Sequence, residues 1–116
     1  MREMKFARPN LHQGINTTFR LGHKWGDSLC QDLNLINLQG GSLGTGTVLN
    51  IREALIFTVT EKELQDSGCL LPEKTLDGLY RELSEIYGDK FNHWKKILVV
   101  TFRYRPIAKT DLDVVE

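Results

Sequence analysis

The chain has 116 residues, which is enough for one domain with a modest core, and its formal net charge is zero. No overall field therefore draws it toward nucleic acid or a membrane surface. The N-terminus lacks an apolar run and no stretch approaches the roughly 20 apolar residues of a membrane span, so we expect neither a signal peptide nor a transmembrane segment. With no export signal, we expect Cys30 and Cys69 to be free thiols in the cytoplasm.

The charges are unevenly distributed along the chain. Residues 1–25 contain five Lys or Arg and one acid, residues 26–89 contain four bases and eleven acids, and residues 90–116 contain six bases and three acids. If the two basic ends meet in space, they form a basic face that the zero net charge hides. The alternative is that these surface charges are scattered and have no common role.

Three strands are predicted in the first half of the chain. The first, TTFRLG, runs into a KWGD loop. The second, residues 32–38, moves its apolar set from one face to the other, which a β-bulge allows. After a glycine-rich hairpin at 39–46, residues 47–59 alternate over an unusual length, so this strand is expected to bend and to serve two parts of a small barrel. Its expected apolar face consists of Leu49, Ile51, Leu55, Phe57 and Val59.

Two helix starts follow the long strand. Thr60 and Glu63 have the spacing of a capping box, which predicts a helical turn. The main helix is predicted at 75–87, with Thr75 as its N-cap and Gly88 as its C-terminal stop. The apolar residues at i, i+3 and i+4 spacing predict one buried stripe. This stripe consists of Leu76, Leu79, Tyr80, Leu83, Ile86 and Tyr87.

A last strand is predicted at 95–105, and the order of elements indicates an α+β fold. One amphipathic helix, at about 75–87, would pack on a small curled sheet or β-barrel. A single domain is expected at 1–106, followed by a loose tail at 107–116. In the last strand, alternate side chains are expected to share one face, namely those of Leu98, Val100, Phe102 and Tyr104. The expected helix contacts join Leu79, Leu83 and Ile86 to Ile51, Phe57, Val100 and Phe102.

The segments NTTFR, LSEIYG and LVVTFR, in this order, resemble the ASCH family of the PUA-like superfamily. The resemblance covers about residues 4–104. It implies a small β-barrel with a cleft, and PUA-like relatives bind RNA or modified bases in such a cleft. Some small ASCH proteins are amidohydrolases that act on acylated cytidine with a Lys, a Thr and a Glu. The match is more specific for the fold than for an activity.

The resemblance can be carried over position by position. Thr18 and Arg20 match the second Thr and the Arg of the opening motif, and Asn16 stands at its first Thr. The catalytic Lys position is Ile15, which cannot exchange a proton, and Glu73 is the nearest candidate for the Glu. The chain therefore keeps the frame of the motif without its lysine, which argues against an amidohydrolase.

The strand at 16–20 carries the first part of the candidate site. Asn16, Thr18 and Arg20 share one strand face, because side chains two positions apart point the same way. Three polar residues on one face indicate that it meets water or a polar cleft. The guanidinium fork suits phosphate or carboxylate, and Asn16 and Thr18 could hydrogen-bond a base edge.

Basic and aromatic residues complete the candidate site. We expect Lys24, Lys95 and Arg103 to contact phosphate. Trp25 either stacks on a base or lies in the core, and Trp94 is either a platform at the edge or a cap over the barrel. The sequence does not decide between the two alternatives for Trp25 or between the two for Trp94.

No metal or cofactor is expected. His12, His23 and His93 are neither paired with one another nor near a cysteine at the spacing of metal ligands. The glycines at 40–46 lack the Lys-Ser/Thr ending and the following helix of a phosphate-binding loop.

Three functions remain open, with the first favoured. The first is a binding module for RNA or a modified nucleotide, without catalysis. The second is a small hydrolase of a modified nucleoside or RNA, with Glu73 as general acid/base and Thr18 as nucleophile or orienting group. The third is a protein-binding inhibitor or adaptor that reuses the fold, with an acidic helix face as its contact surface. That face would consist of Asp77, Glu82 and Glu85.

Overall fold

The computed structural model describes residues 1–107, which form one mixed five-stranded sheet and one main helix. The strand order is β1-β3-β4-β5-β2, with β1 and β3 parallel and every other pair antiparallel. The sheet curls into a half-barrel, so the predicted α+β fold with one amphipathic helix is confirmed. The strands are β1 (Glu3–Phe6), β2 (Gly14–Leu21), β3 (Asp32–Asn37), β4 (Ser42–Ala54) and β5 (Ile97–Pro106). The helices are α1 (Glu61–Gln65) and α2 (Leu76–Tyr87).

The caps of both helices follow the predicted chemistry. Thr60 Oγ1 accepts a hydrogen bond from the backbone N–H of Glu63, whose carboxylate accepts one from the N–H of Thr60, so the capping box is confirmed. Thr75 caps α2 by accepting from the N–H of Gly78. Gly88 ends α2 at φ 57°, a left-handed conformation that suits glycine.

Irregular pairing gives β3 and β4 their curvature. The predicted change of face in β3 is confirmed, because the register shifts between Leu35 and Ile36 and both side chains are buried. A second shift between Val48 and Asn50 leaves Leu49 without a partner on β5. Gly44, at φ 135°, allows close approach to β5, since an added Cβ would lie 2.3 Å from the carbonyl oxygen of Arg105.

The prediction of a strand at 47–59 is wrong in both of its bounds and in the residues assigned to its apolar face. β4 begins at Ser42, inside the expected hairpin, and ends at Ala54, after which a 3₁₀ turn spans Ile56–Thr58. The bulge and the turn each interrupt the period of two, so Leu49 and Phe57 are exposed.

Two apolar clusters lie on opposite faces of the sheet. The inner cluster fills the concave side and contains Leu98, Val100 and Phe102, with Tyr104 packed against it, so the predicted face of β5 is confirmed. The helix-side cluster lies under α2 and includes Leu79, Leu83, Ile97 and Val99.

The expected partners of α2 are therefore wrong. The helix packs on Ile97 and Val99, because alternate residues of β5 point to opposite faces and both faces are covered. Ile86 was expected to be buried, but it lies at the margin of the stripe and is 47% exposed. Leu76, in the first turn, is also exposed.

No helix within residues 1–107 is long and apolar enough to cross a membrane. The tail expected to be loose lies, apart from Ile107, outside the residues that the structure describes.

Candidate functional site

The two edge strands of the curled sheet face each other across a gap. Phe6 of β1 lies under the guanidinium of Arg20 of β2, with 4.7 Å between Cζ and the ring centroid, although no hydrogen bonds join these strands. Two cavities lie along this gap, an outer one of about 530 Å³ and an inner one of about 210 Å³, and both are lined by Lys5, Arg20 and Tyr87. We call these two cavities together the seam groove.

The outer part of the seam groove is basic. Arg2, Lys5, Arg20 and Lys24 line it, against one acid, Glu3. Arg2 is already engaged, because it pairs with Asp27 at 2.8 Å and donates a hydrogen bond to the carbonyl oxygen of Lys24. Lys5, Arg20 and Lys24 form no ion pair with any carboxylate in residues 1–107, so even with Glu3 beside them the lining keeps an excess of positive charge.

Arg20 is the most confined of these cations. Its Nε donates to Thr18 Oγ1 at 3.1 Å, while its two terminal nitrogens have no hydrogen-bond partner in the described part of the chain. Burial lowers the pKa of the guanidinium from its ordinary value, and the nearby Cys69 and Tyr87 oppose that shift. Arg20 is thus a half-buried positive charge, and the residue lines both parts of the groove.

Trp25 lies in the core, which was one of its two alternatives. The side chain is 5% exposed and belongs to the inner cluster. The cationic groups of Arg2 and Lys24 lie 4.7 Å and 5.1 Å from its ring centroid. The ring therefore supports the two cations by cation–π contact, and its faces are not open to a stacked base.

A buried glutamate borders the inner part of the seam groove. Glu82 of α2 is 2% exposed, and its Oε2 accepts a hydrogen bond from Arg8 at 2.5 Å. Its Oε1 is buried and has no hydrogen-bond partner among residues 1–107. Burial raises the pKa of Glu82, and Arg8 opposes the shift. Such an oxygen is an unusual feature in a folded protein, because buried polar atoms are generally satisfied.

Thr18 and Cys69 stand beside this carboxylate in the inner cavity. The Oγ1 of Thr18 lies 3.9 Å from the Sγ of Cys69. Burial raises the pKa of the Cys69 thiol, while the positive charge of Arg20 lowers it. Cys30 and Cys69 are free thiols, the first exposed and the second half-buried.

The predicted polar face of β2 points into the half-barrel. Asn16, Thr18 and Arg20 pair with Phe102, Val100 and Leu98 of the inner cluster. The expectation that this face meets water or an open cleft is wrong for Asn16 and Thr18, because both are fully buried, although Thr18 borders the inner cavity. The Asn16 amide forms three hydrogen bonds within the chain. It donates to the carbonyl oxygens of His12 and Gly14 and accepts from the N–H of His12, which fixes the turn before β2.

Three predicted contact residues lie away from the seam groove. Trp94 is 77% exposed and packs edge-on against Phe57, with 6.2 Å between ring centroids. Lys95 is exposed just before β5. Arg103 is exposed and alternates with Phe102, so it points away from the inner cluster.

Glu73 lies in a different cavity from Thr18. This second cavity, which we call the aromatic cavity, has a volume of about 560 Å³ and is lined by Phe57, Tyr80 and His93 together with Glu73, Arg81 and Asp77. Arg81 pairs with Glu73. Thr18 and Glu73 therefore do not converge on one site, as the expected hydrolase would require.

The expected acidic helix face is also wrong. Asp77 is exposed, but Glu82 is buried and Glu85 accepts from Arg8 at 2.5 Å. The three carboxylates do not form one exposed surface, because Glu82 is buried and a single guanidinium, that of Arg8, contacts both Glu82 and Glu85.

The sequence reasoning missed Lys5, Arg8, Cys69 and Glu82. Glu82 had a detectable signal, since it stands three residues after Leu79 and next to Leu83, inside the apolar stripe of α2. The other three had none, because they reach the groove through contacts between distant segments. No group of three or more His, Cys, Asp or Glu side chains in residues 1–107 could hold a metal ion.

Fold and site together define an α+β half-barrel with a basic groove at the seam of its sheet. No family model matches the chain, and a search of curated proteins finds no match. One solved structure is similar, that of protein EF3133 from Enterococcus faecalis V583, described as family-model DUF984. The TM-score is 0.49 at 13% identity, with 84% of this chain and 65% of the other covered. This chain thus spans just under two thirds of that protein, and the similarity is too low to carry an argument.

Proposed function

We propose that the seam groove binds single-stranded RNA or a modified nucleotide, and that the protein is a binding module of the ASCH type within the PUA-like superfamily. The observation that carries this proposal is Arg20. Its guanidinium is desolvated and stacked on Phe6, and in residues 1–107 it has no carboxylate partner.

An uncompensated, partly buried charge is unfavourable unless something supplies the opposite charge. Other arginines receive the opposite charge from a carboxylate of the same chain. Arg52, for example, forms an ion pair with Glu63 at 2.5 Å. Arg20 keeps its terminal donors free in a groove, and a guanidinium is well suited to a phosphate because its planar fork can donate two parallel hydrogen bonds. A bound phosphate would supply the missing charge.

Lys5 and Lys24 extend the positive charge along the gap, which suits a chain of phosphates better than a single small anion. The aromatic contact first expected from Trp25 is not part of the proposal, since that ring is buried under two cations. Tyr87, which lines both parts of the groove, is the aromatic side chain available to a base.

The test is a titration of the protein with a short single-stranded RNA at several salt concentrations. Three phosphate contacts, from Lys5, Arg20 and Lys24, predict that log affinity falls with log salt at a slope of about −2, since each contact on a single strand contributes about −0.7. Arg20→Ala should weaken binding and flatten the slope by about 0.7. Arg103→Ala is the matched control and should change neither, because Arg103 points away from the groove. Absence of binding at low salt would refute the proposal.

A further inference from the structure

The seam groove is closed by backbone at its inner end. The segment 66–70 crosses the gap between the continuation of β1 and the start of β2. On one side the N–H of Leu70 donates to the carbonyl oxygen of Arg8, and on the other the N–H of Gly68 donates to the carbonyl oxygen of Thr17 at 2.7 Å. A strand of nucleic acid that enters from the outer part therefore cannot continue past the inner cavity.

The inner cavity is also small. Its volume of about 210 Å³ is below the roughly 300–1,000 Å³ of pockets that enclose a whole drug-sized ligand. Cys69, which belongs to the crossing segment, is part of its wall. The cavity therefore takes one end of a ligand, and the rest of the ligand lies in the outer part. Arg20 stands where the two parts meet, since it lines both.

The lining of the inner cavity is basic. Lys5, Arg8 and Arg20 line it, against one acid, Glu82. Arg8 uses a single nitrogen, Nη2, for its contacts with Glu82 and Glu85, and its Nε and Nη1 donate no hydrogen bond within residues 1–107. Its side chain is 43% exposed. Two guanidinium groups thus border one small cavity with donors that remain available, and this arrangement suits a phosphate.

A closed basic cavity favours the end of a strand over its middle. A phosphodiester within a strand carries one negative charge and continues on both sides, so both neighbouring nucleotides would have to leave through the same opening. A phosphomonoester at the end of a strand carries about −1.5 to −2 charges at pH 7 and continues on one side only. The terminal group therefore fits both the charge and the closed shape of the cavity better.

We propose, building on the function proposed above, that the inner part of the seam groove recognises the terminal phosphate of a single-stranded RNA. The phosphomonoester accepts hydrogen bonds from the guanidinium groups of Arg8 and Arg20, and Lys5 adds a third positive charge. Glu82 and Glu85 hold the guanidinium of Arg8 in place through its Nη2. The strand leaves through the outer part of the groove, where the next phosphate meets Lys24.

Four RNAs of one sequence test this inference on the unaltered protein: a linear strand with hydroxyls at both ends, the same strand with a 5′-phosphate, the same strand with a 3′-phosphate, and the circular form. At least one phosphorylated strand should bind about tenfold or more tightly than the hydroxyl and circular strands, because it gains hydrogen bonds between charged groups. The tighter of the two identifies the end that is recognised. Equal affinity of all four would overturn the inference while leaving RNA binding intact, and failure of all four to bind would refute the proposed function itself.

Two variants separate the inner cavity from a general attraction between charges. Arg8 lines only the inner cavity and Lys24 only the outer part. The double variant Arg8→Gln/Glu82→Gln removes the guanidinium together with its buried partner, so that no unpaired carboxylate is left behind. It should reduce the preference for the terminal phosphate to about twofold or less, whereas Lys24→Gln should weaken the binding of all four strands and keep the preference.

Thermal unfolding curves check that both variants fold, and the comparison of the four RNAs on the unaltered protein does not depend on them. The assignment of the terminal phosphate to Arg8 is wrong if the double variant keeps the preference. It is also wrong if Lys24→Gln reduces the preference as much as the double variant does, because the phosphate would then act only through the total charge of the strand.

Discussion

The outer part of the seam groove and the aromatic cavity have nearly the same volume, about 530 Å³ and about 560 Å³. Each is bordered by an arginine that helps to shape it, and α2 contributes to both walls. In the aromatic cavity Arg81 pairs with Glu73, so its charge is neutralised within the chain. In the groove Arg20 is desolvated and has no such partner in residues 1–107. The two regions therefore do not differ in size, and it is the pairing of their charges that distinguishes them.

Both regions depend on α2, so a substitution in its buried stripe should affect both. Leu83 is fully buried in the helix-side cluster, and Leu83→Ala should lower the free energy of unfolding by about 2–5 kcal/mol. Ile86→Ala, one turn further on at a 47% exposed position, should change it by roughly 0.5 kcal/mol or less. Thermal or denaturant unfolding measures both. Equal effects would mean that α2 does not pack as described.

Removal of the positive charge should change the free energy of unfolding in opposite directions at Arg20 and at Arg81. Arg20→Met should raise the stability of the unliganded protein by about 1 kcal/mol, because an uncompensated desolvated charge is replaced by an apolar chain of similar length. Arg81→Met removes an exposed ion pair and should lower stability by about 0–1 kcal/mol. Unfolding in a buffer free of phosphate measures the difference. A loss of stability in Arg20→Met larger than in Arg81→Met would show that the guanidinium is satisfied within the protein.

The pH dependence of stability separates the groove carboxylate from a paired one. Burial raises the pKa of Glu82, so the folded state holds this proton to higher pH than the unfolded state does. Stability from Glu82 is therefore present below the ordinary value of 4.5 and is lost as pH rises through the raised pKa. The hydrogen bond from Arg52 lowers the pKa of Glu63, whose stabilisation is present above 4.5 and is lost as pH falls through the lowered pKa.

Unfolding curves recorded across this pH range should therefore give opposite changes for the two Gln variants. In the unaltered protein, Glu82 should make the free energy of unfolding fall as the pH rises, and the Glu82→Gln variant should lack this fall. Glu63 should make the free energy of unfolding fall as the pH decreases, and the Glu63→Gln variant should lack that fall. Changes of the same sign in both variants would contradict the electrostatic difference between the two sites.

Local signals account for the parts of the fold that the sequence predicts. The caps Thr60, Thr75 and Gly88 act within a few residues, and the boundaries of α2 follow from them. Residues 47–59 were predicted to form one strand because apolar residues alternate along them. The alternation continues through a β-bulge and a 3₁₀ turn, and no local sequence signal marks either irregularity. The partners of α2 were misassigned because β5 is buried on both faces, so its alternation does not tell which face meets the helix.

The candidate site was predictable only from one side of the gap. Thr18, Arg20 and Lys24 lie close in sequence, and their chemistry singled them out. Lys5 and Arg8 come from the other edge of the sheet, and they reach the groove because the curl brings two strands together that share no hydrogen bonds. Glu82 was hidden for a different reason: a glutamate on a helix is normally solvated, and only its burial reveals the unpaired oxygen.

The most direct test of the account is a titration of isotope-labelled protein with a short single-stranded RNA, followed by NMR of the arginine side-chain Nε–H groups and the backbone amides. The account predicts that the Nε–H of Arg20 and the amides of Lys5 and Lys24 shift with increasing RNA, while the Nε–H of Arg81 and the amide of His93 at the aromatic cavity stay unchanged. Shifts confined to Arg81, His93 and their neighbours would contradict it, because the RNA would then occupy the cavity whose arginine is already paired.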